Sequence, residues 1–266
     1  MLTNFHTHTD FCDGENTPEE MVRYAIEKGF NAIGFSGHGY TDFDLSYCVK
    51  DTNGYISTIK GLKKKYEDKI SIFLGIEEDL SGWIESSDYE YIIGSSHYIF
   101  KNGKYYPIDC NVEQFKKCLE LFHFDVVALA QEYYSGLCDY IQKRTPDIVG
   151  HFDLITKFDE IDEMMFLNNE KYFEIAERYT EIAAQNDVIF EVNTGAISRG
   201  YRKSPYPHER LLHILKKNNS KLILSSDAHS INGLDTYFEE TKQILKQMGF
   251  KYLYYPKCTG YEKIHI

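Results

Sequence analysis

Residues 1–266 are expected to form one parallel α/β barrel, closed or nearly closed. Three observations carry that expectation. Short apolar, β-branched segments alternate with longer amphipathic ones along the whole chain, the pattern of parallel βαβ units. Seven strand-like segments are well defined, and no Gly/Ser-rich linker, composition shift, internal repeat or low-complexity tract divides them. A length of 266 residues is also one at which α/β barrels form as a single unit. An open doubly wound sheet is the competing arrangement, but no Gly-x-Gly-x-x-Gly turn follows the first strand.

The elements follow in order. "LTNFHTHT" reads as the first strand. "NTPEEMVRYAIEKGF" is a helix, with Thr17 as N-cap, Pro18 in the first turn, Glu20 completing a capping box and Gly29 closing it. "NAIGFSGH" is a strand, "GYISTIKGLKKKYED" a helix, and "ISIFLGIEED" and "YEYIIGSSHY" two further apolar runs of strand character. A largely helical stretch from about Glu113 to Arg144 reads as two pieces. "PDIVGHFD" is a short strand, "NEKYFEIAERYTEIAAQN" an amphipathic helix and "VIFEVNTG" a strand. "PHERLLHILKKNN", "KLILSSDAH" and "LDTYFEETKQILKQMGF" continue the alternation, with "KYLYY" as a candidate final strand.

Composition narrows the function classes. An apolar fraction of 42% supports a real core, and a net charge of −12 argues against nucleic acid or an anionic membrane as a partner. A small anionic substrate stays open, because bound cations override a global average. No run approaches the roughly 18 apolar residues of a membrane span. "MLTNFHTHTD" has neither the basic start nor the apolar run of a secretory signal. Six cysteines at 12, 48, 110, 118, 138 and 258 form no Cys-x-x-Cys pair, so reduced thiols and a cytoplasmic location are expected. Cys12 reads as a small buried filler.

The chemistry lies where strands end. His6 and His8 stand two apart, so an extended strand aims both imidazoles at one point, as a first-row metal requires. His38 ends "AIGFSGH", Glu77 lies in "IFLGIEE", His97 ends "IIGSSH", His151 ends "DIVGH", and Asp227 and His229 end "LILSSDAH". Asp13 follows on the first loop. In a parallel barrel these ends share one rim, the rim on which active sites are built. Each residue alone has a plainer reading: a satisfied loop histidine, an N-cap, a solvated carboxylate. Those readings need a separate excuse at every strand, whereas His123, His208, His213 and His265 lie on or beside helices or near the last residue, where the plain reading suffices. This segregation points to a multinuclear metal site.

The same residues, in "HTH", "DG", "SGHG", "GIEED", "SSHY", "GHFD" and "SSDAH", make the whole chain resemble the PHP (polymerase and histidinol phosphatase) family, and within it the monofunctional histidinol-phosphatases. The resemblance implies a distorted (β/α)7 TIM-like barrel with three divalent ions. It assigns His6, His8, Glu77 and Asp227 to the first ion, and Glu77, as a bridge, with His97 and His151 to the second. Asp13, His38 and His229 go to the third. Oxygen and imidazole donors without thiolate suit Zn, Mn or Fe alike. The implied activity is hydrolysis of L-histidinol phosphate to L-histidinol and phosphate in histidine biosynthesis, by a hydroxide generated from water held between two ions. Glu77, Asp227 and His229 are the expected catalytic groups. Arg199 is the leading phosphate donor, with Lys157 and then Arg202 behind it. Asp10, Asp42, Glu78, Glu132 and several tyrosines are available to the cationic part of the substrate. Alternatives are a PHP phosphoesterase for another small phosphomonoester or nucleotide, and a metal-binding scaffold without turnover. An amidohydrolase ranks below these, since Glu77 takes the bridging place and the series ends Asp-x-His.

Overall fold

A computed structural model describes residues 1–162, 166–257 and 260–266; Cys258 lies outside them. The strands are β1 (Thr3–Asn4), β2 (Ala32–Phe35), β3 (Ser71–Asp79), β4 (Tyr91–Ser95), β5 (Tyr98–Lys101), β6 (Lys104–Pro107), β7 (Ile148–Val149), β8 (Ile189–Asn193), β9 (Lys221–Ser225), β10 (Tyr252–Pro256) and β11 (Tyr261–His265). The α-helices are α1 (Pro18–Glu27), α2 (Thr52–Lys65), α3 (Val112–Glu120), α4 (Val126–Arg144), α5 (Asp159–Asp162), α6 (Glu170–Ala183), α7 (Gly195–Ser198), α8 (Glu209–Lys217) and α9 (Phe238–Gln247).

Seven parallel strands stand in the order β1-β2-β3-β4-β7-β8-β9. A bridge between Thr7 and Ala228 closes the ring: the His8 N–H donates to Ala228 O at 2.8 Å and the Ala228 N–H to His6 O at 3.1 Å. The expected seven-stranded barrel is therefore the observed one.

Period-2 alternation divides its residues. Ala32, Phe73, Tyr91, Ile93, Ile148, Ile189 and Ile223 face inward with Phe5, forming an apolar plug. Ile33, Ile72, Leu74 and Ile76 face outward against α1 and α2. Val149, Phe190, Val192, Leu222 and Leu224 do the same beneath α4, α6 and α8. Tyr91 spans the interior and donates its hydroxyl to Phe5 O at 2.7 Å. Glycine at 34 and 75 makes room for its ring: a Cβ would lie 2.4 Å from the Tyr91 hydroxyl at Gly34 and 2.2 Å from the ring at Gly75.

Local chemistry sets the element ends. The capping box of Thr17 and Glu20 starts α1, and Gly29 follows that helix at φ 77°. The helical stretch splits at His123 and Phe124, both at positive φ, and Asp125 accepts from Val127 N and Ala128 N to start α4.

Three expectations change. The first strand is not continuous: Asn4 Oδ1 accepts from His6 N at 3.1 Å, and Phe5, His6 and His8 all face the interior, so the alternation slips by one residue. "YEYIIGSSHY" is not one run, because Tyr98 leaves the barrel to begin the antiparallel β5–β6 hairpin over Asn102-Gly103. "KYLYY" forms a strand but outside the barrel; β10 pairs antiparallel with β11, and Tyr255 seals the apolar end of the plug.

Gly75→Ala should force the Tyr91 ring aside and destabilise the fold by about 1–3 kcal/mol. The test is a lowered urea midpoint at an unchanged m-value.

Candidate metal centre

Above the apolar plug the inward positions turn polar. On β3 the sequence Phe73, Gly75, Glu77, Asp79 runs from core to rim, and on β8 it is Ile189, Glu191, Asn193. The slip at Asn4–His6 re-aims the first strand so that both His6 and His8 join this layer. His38, His97, His151 and Asp227 follow the ends of β2, β4, β7 and β9. All seven of the ligand candidates other than Asp13 and His229 are buried. Asp13 and His229 stand at the mouth, with side chains 34% and 25% exposed.

The donor atoms converge. His6 Nε2 lies 3.2 Å from Glu77 Oε2 and 3.6 Å from Asp227 Oδ1. His8 Nε2 lies 3.5 Å and 3.2 Å from the same two oxygens. The other Glu77 oxygen, Oε1, lies 3.1 Å from His151 Nε2 and 3.4 Å from His97 Nε2. Asp13 approaches His38 Nε2 at 3.7 Å and His229 Nε2 at 3.3 Å. Two donors about 2.1 Å from one tetrahedral ion stand roughly 3.4 Å apart, so these spacings suit first-row divalent ions. The buried atoms His6 Nε2, His8 Nε2 and Glu77 Oε2 also lack any hydrogen-bond partner, a costly state for polar groups that a cation relieves.

The nine predicted ligands are thus brought together, and Glu77 faces two donor groups with its two oxygens. Three contacts go beyond the expected partition, one of them His229 Nδ1 to Asp227 Oδ1 at 3.5 Å. His8 Nδ1 reaches Asp13 at 3.7 Å, and His38 Nδ1 lies 3.0 Å from Glu77 Oε2.

Electrostatics agree with a cation site. Burial opposes charge on His6, yet Glu191, Glu77 and Asp227 together raise its pKa well above the ordinary value. His97 is raised in the same way against its burial, by Glu77 and Asp79, and His38 by Asp13 and Glu77. His8 goes the other way, down to about 3, through burial and the neighbouring His229 and His38. Burial would raise Glu77 and Asp227, but His6, His97 and His38 around Glu77, and Arg199 and His6 around Asp227, hold both well below the carboxylate range. The pocket keeps its carboxylates ionised and draws positive charge to them.

Hydrogen bonds orient these groups. Glu191 accepts from His6 Nδ1 at 2.7 Å, Asp79 accepts from the His97 N–H at 2.8 Å, and Ser95 Oγ donates to Glu77 Oε1 at 2.6 Å. None of the three was among the predicted site residues. A signal existed: Asp79 follows Glu77 by two on one strand face, and Glu191 interrupts the apolar "VIFEV".

A cavity of about 320 Å³ opens over the cluster, lined also by Asp44, Tyr47, Tyr98, Asp109, Lys157 and Arg199. Arg199 Nη2 donates to Asp227 Oδ2 at 2.9 Å and Nη1 to Asp227 O at 2.8 Å. Lys157 reaches the cavity but donates to Asp109 O at 2.6 Å. Arg202 is 3% exposed, does not line the cavity, and donates to Thr156 Oγ1 at 2.6 Å. Glu78 faces outward, where Arg144 and Tyr140 bond it, and takes no part in the cavity. Cys12 packs beside the site, its Sγ 3.6 Å from His8 Nδ1.

The chain is similar to known proteins over most of its length. A "probable histidinol-phosphatase" of Schizosaccharomyces pombe is 27% identical over 94% of this chain and 87% of its own. The histidinol-phosphatase of Bacillus subtilis is 25% identical over 88% of this chain and 96% of its own. A solved Lactococcus lactis histidinol phosphate phosphatase, complexed with Zn, L-histidinol and phosphate, shares the fold at a TM-score of 0.70 and 20% identity, covering 98% of each chain. A solved Listeria monocytogenes chain superposes at 0.75, with 21% identity over 90% of this chain and 99% of its own. Residues 4–195 match the PHP domain model. The chain belongs to the PHP domain family.

Proposed function

We propose that this protein is a metal-dependent phosphoric monoester hydrolase that converts L-histidinol phosphate to L-histidinol and inorganic phosphate. The observation that carries the reading is the meeting of nine side chains, Glu77 among them, from six strands and the first loop, at spacings suited to divalent ions. The full-length relatives named above support the substrate. We take residues 1–266 as one catalytic unit.

Three ions are assigned: one to His6, His8, Glu77 and Asp227, one to Glu77, His97 and His151, one to Asp13, His38 and His229. Zn, Mn and Fe all suit these donors. Bound there, such ions supply charge neutralisation for the phosphate and acidification of water. The chain's own residues then hold the substrate. Arg199, anchored on Asp227, presents its remaining N–H groups to a phosphate oxygen. Lys157 has spare donors beyond its bond to Asp109 and adds positive charge to the same wall. Asp227 and His229 stand where the cluster meets the cavity and would orient the reacting phosphate through the ions they hold. Asp44 and Asp109, with the faces of Tyr47 and Tyr98, offer carboxylate and aromatic surface for the cationic amine and imidazole of histidinol. A cytoplasmic location accords with the five described cysteines, all free thiols. No helix among the described residues is long and apolar enough to cross a membrane.

Phosphate release from histidinol phosphate should greatly exceed release from nucleotides, vanish on chelation, and return with Zn, Mn or Fe. Equal rates on nucleotides would replace the substrate, and metal uptake without any release would favour the scaffold. Glu77→Gln should weaken metal binding by more than about 100-fold, beyond what losing a supporting partner costs, while far-UV circular dichroism stays unchanged. With metal kept saturating, because Asp227 also loses its partner, Arg199→Ala should lower kcat/KM by roughly 10- to 100-fold, the worth of one charge-assisted hydrogen bond.

A further inference from the structure

Glu191 is fully buried on β8, at an inward position one layer beneath the cluster. It belongs to none of the convergent donor groups and does not line the cavity. Its two oxygens serve different clients. Oε1 accepts from His6 Nδ1 at 2.7 Å, and Oε2 accepts from the His151 backbone N–H at 2.9 Å and from Asn193 Nδ2 at 2.8 Å. The donor atoms of His6 and His151 both converge on Glu77, but the assignment above gives them to different ions, His6 with His8 and Asp227, His151 with His97.

We infer that Glu191 is a positioning residue shared by two metal sites, and that it couples their occupancy. The inference rests on the metal assignment above. By taking the Nδ1–H, Glu191 selects the His6 tautomer whose lone pair lies on Nε2, the atom facing Glu77 and Asp227. By holding the His151 N–H, it fixes the backbone that carries the imidazole on the other side of Glu77. Only a carboxylate does both, because it accepts at both ends. An amide has one oxygen and one NH2 group, so glutamine satisfies either His6 or the His151–Asn193 side and sets a donor against a donor on the other. Asp79 supplies the contrast: it accepts from the His97 N–H at 2.8 Å and touches no other ligand's hydrogen-bonding groups.

The test measures metal stoichiometry by elemental analysis, and affinity by chelator competition, on the full chain. Glu191→Gln should weaken two ions together, each by roughly 10- to 100-fold, and should shift the d–d absorption of the cobalt-loaded protein. Asp79→Asn should weaken one ion alone. Circular dichroism and the Tm of the metal-free proteins serve as the folding control. If Glu191→Gln does not fold, Glu191→Asp carries the test, since its shorter carboxylate cannot span both clients and should show the same paired loss. Affinities equal to wild type, or loss of one ion with the other untouched, overturn the inference while leaving the metal centre standing. A wild-type chain that takes up no divalent ion overturns the metal assignment itself, and this inference with it.

Discussion

One buried carboxylate sets the terms for this molecule. Glu77 is 1% exposed, with imidazole nitrogens of His6, His8, His38, His97 and His151 within about 3.5 Å of its two oxygens. An ionised group at that depth is tolerable only if positive charge surrounds it and its lone pairs find partners. The rim of the barrel supplies the charge and Ser95 supplies a hydrogen bond. The backbone at the site is bound to this requirement as well. The bridge that closes the barrel runs through His6 O, His8 N and Ala228, so the ring closes on two ligand candidates and on the residue between two others, Asp227 and His229.

The strands work as gradients. Inward side chains are apolar toward the β10–β11 hairpin and polar toward the cavity, while outward ones stay apolar beneath the helices. Neighbours on one strand can therefore carry like charges to different ends. Glu77 and Asp79 enter the site, and Glu78 between them turns to the helix layer, where the Arg144 guanidinium bonds both its oxygens at 2.9 Å. The same division explains Asp153 and Arg202, a buried pair 3.6 Å apart that belongs to the packing and not to the cavity.

The cavity is not made by the barrel alone. Tyr98 opens the β5–β6 hairpin and donates to Asp44 Oδ2 at 2.8 Å, and the strand returns so that the Ile108 N–H meets His97 O at 2.9 Å. That return sets Asp109 beside the cluster. The charged rim of the cavity and its carboxylate–aromatic wall thus come from separate parts of the chain.

Much of this could be read before folding. The seven strands, the capped helices and all nine ligand candidates are legible, because side-chain periodicity, caps and strand ends are local properties. The Asn102-Gly103 turn was legible too, but the apolar run around His97 masked it. What lay beyond reading were the partners of each group. Nothing adjacent to Glu191 says that it faces His6, 185 residues away. Nothing near Lys157 says that Asp109 holds it, and the Asn4 side chain that accepts from His6 N at the slip is itself held by Ser226 and Leu234, more than 200 residues on. Such pairings exist only once the ring has closed, since a through-space contact between distant segments depends on the register of every strand between them.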